Sequence, residues 1–152
     1  MKSASTPLRS IKLDPMKRLD ALNIAQSAFA EGEARGVVNM SVVITDPGGH
    51  TKLAMRSDTQ GIFGVDTATA KAVTALGFNR STLALGPLFT PQATVGVAAA
   101  TGGRFAPLGG GVVITSKDGV ILGAAAVSGG LPEIDHEIII AALKAHYFNT
   151  LP

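Results

Sequence analysis

Side chains able to move a proton or hold a metal near neutral pH are few in this sequence, and they are widely spaced. The chain has three histidines, His50, His136 and His146, and imidazole is the side chain whose ordinary titration falls near neutrality. His136 follows Asp135 in a stretch that opens Pro132-Glu133 and reads as the start of a helix. The positive end of a helix lowers an imidazole pKa, which keeps the ring neutral for metal ligation or base work. His136 is therefore the candidate metal ligand, and His136 and Asp135 are the candidate proton-transfer groups. His50 ends the turn Asp46-Pro47-Gly48-Gly49-His50; it is either a second candidate ligand or a solvated turn residue. His146 falls near the far end of the last helix, where the dipole favours the charged form, and reads as a surface residue.

Three basic residues offer a hold on a carboxylate: Arg56, Lys71 and Arg80. Arg56 and Asp58 are two apart, so on a strand they share a face and can pair. Lys71 lies in an Ala-rich helical stretch, where a lysine either snorkels or directs its ammonium at an anion. Arg80-Ser81-Thr82 follows the glycine stop at Gly77 and can cap a further helix through Ser81 or Thr82. Ser128-Gly129-Gly130, between a strand and a helix, supplies N–H groups for an anion nest.

Several familiar motifs fail on their spacing. Gly109-Gly110-Gly111 begins like a dinucleotide fingerprint but leads into a strand, and no Gly-Lys-Ser/Thr occurs for a P-loop. His136-Glu137 opens a zincin motif whose fifth position is Ile140, so the second ligand is missing. Ala126-Val127-Ser128-Gly129-Gly130 resembles a nucleophile elbow, but Ala126 replaces its leading glycine. Asp135 and His136, adjacent on one helix, point about 100° apart and cannot line up behind one serine.

These residues must be positioned by a chain of 152 residues, enough for one domain with a core. It is 46% hydrophobic and 16% charged, with 18 glycines, and its mean hydropathy of +0.33 points to surface hidden in subunit contacts. Lys2, Arg9, Lys12, Lys17 and Arg18 gather near the N-terminus without interleaved aromatics, which argues against nucleic acid. With no cysteine there is neither disulfide nor thiolate chemistry. No apolar run is long enough for a membrane span, and the expected location is cytoplasmic.

Residues 1–13 read as an arm, and 14–152 as a single domain. Asp14-Pro15 starts a helix with Leu19, Leu22, Ala25, Ala28 and Phe29 as its apolar stripe, stopped by Gly36. Val37–Thr45 and Thr51–Arg56 form a hairpin, 67–76 a short helix, and 79–106 short helical pieces broken by Pro87 and Pro91. A second hairpin, 111–115 with 120–127, turns at Ser116-Lys117-Asp118-Gly119. A final helix runs from Pro132 through Tyr147. Two hairpins with helices before, between and after predict an α+β fold with an antiparallel sheet.

An ordered set of short strings resembles the GlcG/HbpS-like family, which includes the C-terminal domain of PduO-type corrinoid adenosyltransferases. The strings are Val43-Ile44-Thr45-Asp46-Pro47-Gly48-Gly49-His50, Arg56-Ser57-Asp58, Ala70-Lys71-Ala72-Val73-Thr74-Ala75 and Arg80-Ser81-Thr82. The glycines at 109–111, Gly123-Ala124-Ala125-Ala126-Val127-Ser128-Gly129 and Asp135 complete the set. The resemblance implies a compact α+β subunit that assembles into dimers or larger, often octameric, rings, and a haem or other tetrapyrrole ligand. His136 or His50 would then face the iron, and Arg56, Lys71 or Arg80 the propionates, with Ser128 and Gly129 as further ligand contacts. Some haem-binding relatives use a histidine in or near the first helix, and residues 14–36 contain none. The alternatives are a cofactor-free enzyme or accessory protein acting on a small carboxylate of hydroxy-acid or diol metabolism, and a structural oligomer without a site.

Overall fold

A computed structural model describes residues 16–152; the N-terminal arm and the Asp14-Pro15 helix start lie outside the described residues. The first helix, α1, spans Arg18–Ala34. Strands β1 (Ser41–Thr45) and β2 (Thr51–Arg56) follow as a hairpin, then α2 (Gly64–Phe78). The stretch with two prolines forms α3 (Thr82–Leu85), a single 3-10 turn (Gly86–Leu88) and α4 (Pro91–Ala100). Strands β3 (Gly111–Thr115) and β4 (Ile121–Ser128) make the second hairpin, before α5 (Pro132–Ala145) and a short β5 (Asn149–Thr150).

The two hairpins join into one 5-stranded sheet, ordered β2-β1-β4-β3-β5, in which each pairing is antiparallel. The junction is β1 on β4, with Val43 opposite Ala126 and Ser41 opposite Ser128. Both strands are therefore covered on both faces, and β1 is buried at all of its positions, as its unbroken apolar run requires. On one face, Ile24 of α1 and Ile138, Ile139 and Leu143 of α5 pack over Val42, Ile44, Val112 and Val127. Each such side chain contributes roughly 1.5–3 kcal/mol by leaving water. The other face is built from small residues: Ala68 and Ala72 of α2 rest on Val43, Ala124 and Ala126. Small side chains let the backbones approach closely. At Gly111 a Cβ would lie 2.5 Å from the Lys71 carbonyl oxygen, so only glycine lets α2 cross β3 there.

Several elements differ from the sequence expectation. The buried face of α1 is Ala21, Ile24, Ala25, Ala28 and Gly32, whereas Leu19 is 61% exposed; close packing against α5 selects the small residues. The first strand begins at Ser41 and not at Val37, because Ser57 clasps Met40 through hydrogen bonds at its N–H and its carbonyl. The last helix stops at Ala145. Tyr147 takes a left-handed φ of 62° and turns the chain so that Asn149 and Thr150 pair with β3. His146, expected at the surface, is half-buried and hydrogen-bonded through Nε2 to Ser27 Oγ at 2.8 Å.

Residues 81–103 contain no charged side chain, and α4 within them buries none of its residues. A helix apolar on most sides and covered only in part, at Thr94, Val97 and Ala98, is unusual in an isolated subunit. Among the described residues no single helix is long and apolar enough to cross a membrane.

Candidate functional site

One end of the sheet gathers most of the residues singled out in the sequence. Arg56 ends β2, Ser41 begins β1 and Ser128 ends β4, and the three are opposed in register. The Ser128-Gly129-Gly130 turn leads from there into α5, which carries Asp135 and His136 in its first turns. His50 lies at the other end of the β1–β2 hairpin, in its turn, and Arg80 is exposed beyond the C-terminus of α2. The structure thus brings Arg56 and Ser128 together with a serine that the sequence reading passed over, Ser41. It does not bring His50 to them.

Lys71 has a partner that its position in the sequence could not reveal. Its ammonium neither snorkels nor faces solvent: Nζ is 3.0 Å from Asp135 Oδ2 and donates to the Val127 carbonyl at 3.0 Å. The two side chains are 4% and 1% exposed. The other carboxylate oxygen, Oδ1, accepts from the Gly130 N–H at 2.7 Å. The carboxylate that Lys71 holds is therefore the chain's own, and Asp135 is engaged at both oxygens. The pair ties α2, β4 and α5 together and fixes the 128–130 turn. It also occupies one of the N–H groups assigned to the anion nest.

Arg56 and Asp58 do not form the expected pair, because β2 ends at Arg56 and the chain turns before Asp58. The guanidinium donates instead to the Gln60 carbonyl at 2.8 Å. Ser81 caps α3 as expected, accepting from the Ala84 N–H at 3.3 Å. Thr82 adds a contact not foreseen: its hydroxyl accepts from the Gly111 N–H at 2.8 Å.

The histidines divide by environment. His50 is 83% exposed on its side chain, and its Nδ1 lies 3.3 Å from Asp46 Oδ1. Partial burial of Asp46 acts to raise its pKa. Hydrogen bonds from the His50 and Gly48 N–H groups and the nearby His50 ring outweigh that, and the carboxyl is held below its ordinary value. His136 is half-buried, with Nδ1 enclosed and lacking a hydrogen-bond partner among the described residues. Burial lowers its pKa from the usual 6.5 against the opposing charge of Glu137. The ring is therefore neutral at physiological pH, the state a metal requires. Among the described residues no three His, Asp or Glu side chains cluster around a common point.

Between α4 and the segment before β3 lies an apolar cleft of about 480 Å³. Its walls are Phe89, Pro91, Val95, Phe105, Pro107 and Leu108. Phe89 and Phe105 meet edge to face at 4.9 Å between ring centres, and Phe78 packs on both. The chain that forms its Leu108 wall then passes close to the start of α5: a Cβ on the next residue, Gly109, would lie 2.5 Å from the Pro132 carbonyl oxygen. Pro132 and His136, four apart, share one side of that helix.

The family model described as haem degrading protein, HbpS-like, matches residues 16–144. The chain belongs to the HbpS-like family. Solved structures agree with that fold. A PduOC–haem complex superposes with a TM-score of 0.81 at 24% identity, covering 91% of this chain and 99% of that one. ORFY of Klebsiella pneumoniae gives 0.78 at 23% identity, covering 92% and 96%. A double mutant of Streptomyces reticuli HbpS gives 0.76 at 23% identity, covering 93% and 97%. No curated protein matches the chain. Identities this low carry the HbpS-like fold and not the ligand.

Proposed function

We propose that this HbpS-like chain is a small-ligand-binding subunit whose leading ligand is haem or another tetrapyrrole. The observation that carries the reading is the aromatic-walled apolar cleft, and a neutral, half-buried His136 on α5 is the candidate donor. A flat apolar ring needs such walls, and a porphyrin brings four nitrogens of its own, so one imidazole suffices as protein donor. With Nδ1 enclosed, Nε2 is the nitrogen left for iron. His136 fits that role better than His50, whose ring stands in solvent beside Asp46. Iron at that position would supply oxygen and electron-transfer chemistry. The chain's own part is to present the donor and wall off the ring.

The basic residues fit less evenly. Lys71 is committed to Asp135, which leaves Arg56, by the start of α2, or Arg80, past its C-terminus, for propionates. The subunit works as a homo-oligomer in this reading, because the uncharged 81–103 excursion and the exposed Leu88, Val95 and Leu108 need cover. The second reading, a cofactor-free protein acting on a small carboxylate, draws on the same neutral His136 as base, with Asp135 acting through Lys71 and the 128–130 turn.

Titration of the purified chain with haem, followed by absorbance, tests the reading. Saturable binding with a Soret shift, lost in His136→Ala and kept in His50→Ala, is expected. Absence of a shift at stoichiometric haem sinks the tetrapyrrole reading and leaves the carboxylate one.

A further inference from the structure

Three strands present a row of polar side chains on the α2 face of the sheet. Arg56, Ser41 and Ser128 are directly opposed across β2, β1 and β4. Alternation fixes their side: Val43 and Ala126, two residues from Ser41 and Ser128, pack beneath Ala68 and Ala72 of α2. The row ends against the first residue of that helix. A Cβ on Gly64 would lie 2.6 Å from Ser41 Oγ and would also strike the Gln60 side chain.

Two deficits face each other at this point. Ser41 is 0% exposed, and its hydroxyl has no hydrogen-bond partner among the described residues, a state that buried polar groups rarely keep. No side chain caps α2, so its first-turn N–H groups at Val65 and Asp66 are left for a ligand or solvent. The positive end of this helix dipole lies over the same spot. Ser128 is buried at 9% exposed and Arg56 is exposed, so the row opens to solvent at its Arg56 end. Every group in it donates. The carboxylates that follow nearby in the chain, Asp58 and Asp66, are exposed at the rim, and they disfavour a doubly charged guest.

We propose that the start of α2, together with Ser41, Ser128 and Arg56, is a binding site for one carboxylate group. Its oxygens accept from the Val65 and Asp66 N–H groups and from the two hydroxyls, and Arg56 closes the outer side. This deepens the small-ligand reading by stating where a ligand carboxylate goes, and it does not depend on haem. The carboxylate is either a free small acid or a propionate on a larger ring.

The test is an amide NMR titration of the full chain with sodium acetate, against sodium chloride at matched ionic strength. Saturable shifts at Val65 and Asp66 with acetate alone are expected, weakened about tenfold in Arg56→Gln, as loss of one charge-assisted contact implies. Ser41→Ala removes only an unpartnered hydroxyl, so it keeps the fold and weakens acetate several-fold. Haem and its propionate dimethyl ester separate the two sources. Weaker binding of the ester than of haem, with the difference gone in Arg56→Gln, identifies a propionate; acetate binding unaffected by saturating haem identifies a free acid. Acetate shifts that match chloride, fail to saturate or persist unchanged in Arg56→Gln overturn the site. Haem binding that ignores Arg56→Gln, with acetate inert, overturns this site and keeps the tetrapyrrole. Acetate binding without haem binding does the reverse.

Discussion

Replacing Lys71 with methionine leaves the Asp135 carboxylate, 1% exposed, with the Gly130 N–H as its remaining partner among the described residues. Replacing Asp135 with leucine leaves a buried ammonium facing only the Val127 carbonyl. Breaking a buried pair by removing one partner costs about 3–5 kcal/mol. Independent effects would then sum to roughly 6–10 kcal/mol. The double variant Lys71→Met/Asp135→Leu removes both charges together. What remains is the unpaired Val127 carbonyl and Gly130 N–H, each costing about 1–3 kcal/mol. The double variant is therefore expected to be more stable than the two single losses added, by about 4 kcal/mol at the middle of these ranges. Urea unfolding of the four proteins at one protomer concentration measures the cycle, since assembly shifts apparent stability. Single losses below about 1 kcal/mol that simply add would refute the account of this pair as a buried, mutually compensating clamp.

Acid should act through His136. Its pKa is lowered in the fold from the usual 6.5, so below that value the unfolded chain binds a proton that the folded chain does not. Stability then falls as pH drops through the window beneath 6.5 and levels off once the folded ring also protonates. Urea midpoints across that range should show this slope, and His136→Gln should flatten it; an unchanged slope in the variant removes His136 as its source. Val95 is 69% exposed on a helix that buries none of its residues, so Val95→Asp should leave the fold intact and lower the mass of the proposed homo-oligomer. Light scattering on the eluting peak decides this, and an unchanged mass would place the subunit contacts elsewhere.

Periodicity and turn chemistry in the sequence determined where helices lie, both hairpins and the α+β class, but not every helix end: α2 runs through the expected stop at Gly77 to Phe78 and is closed by a left-handed Asn79. They act within a few residues: the Asp46-Pro47-Gly48-Gly49 turn and the Ser81 cap work where they stand. The resemblance carried by the ordered strings pointed to the family, and the match over residues 16–144 bears it out. Contacts between residues distant in the chain were not legible. Nothing near Lys71 announces Asp135, because the two meet only when α2 and α5 close on opposite faces of β4. Ser41 looked like an ordinary strand residue until β1 paired on both sides and placed its hydroxyl under Gly64. Arg56 and Asp58 satisfied the period-two rule and still did not pair, because the strand ends between them. Local sequence sets backbone preference over a turn or two, whereas charge compensation and hydroxyl satisfaction depend on which surfaces the sheet order brings together.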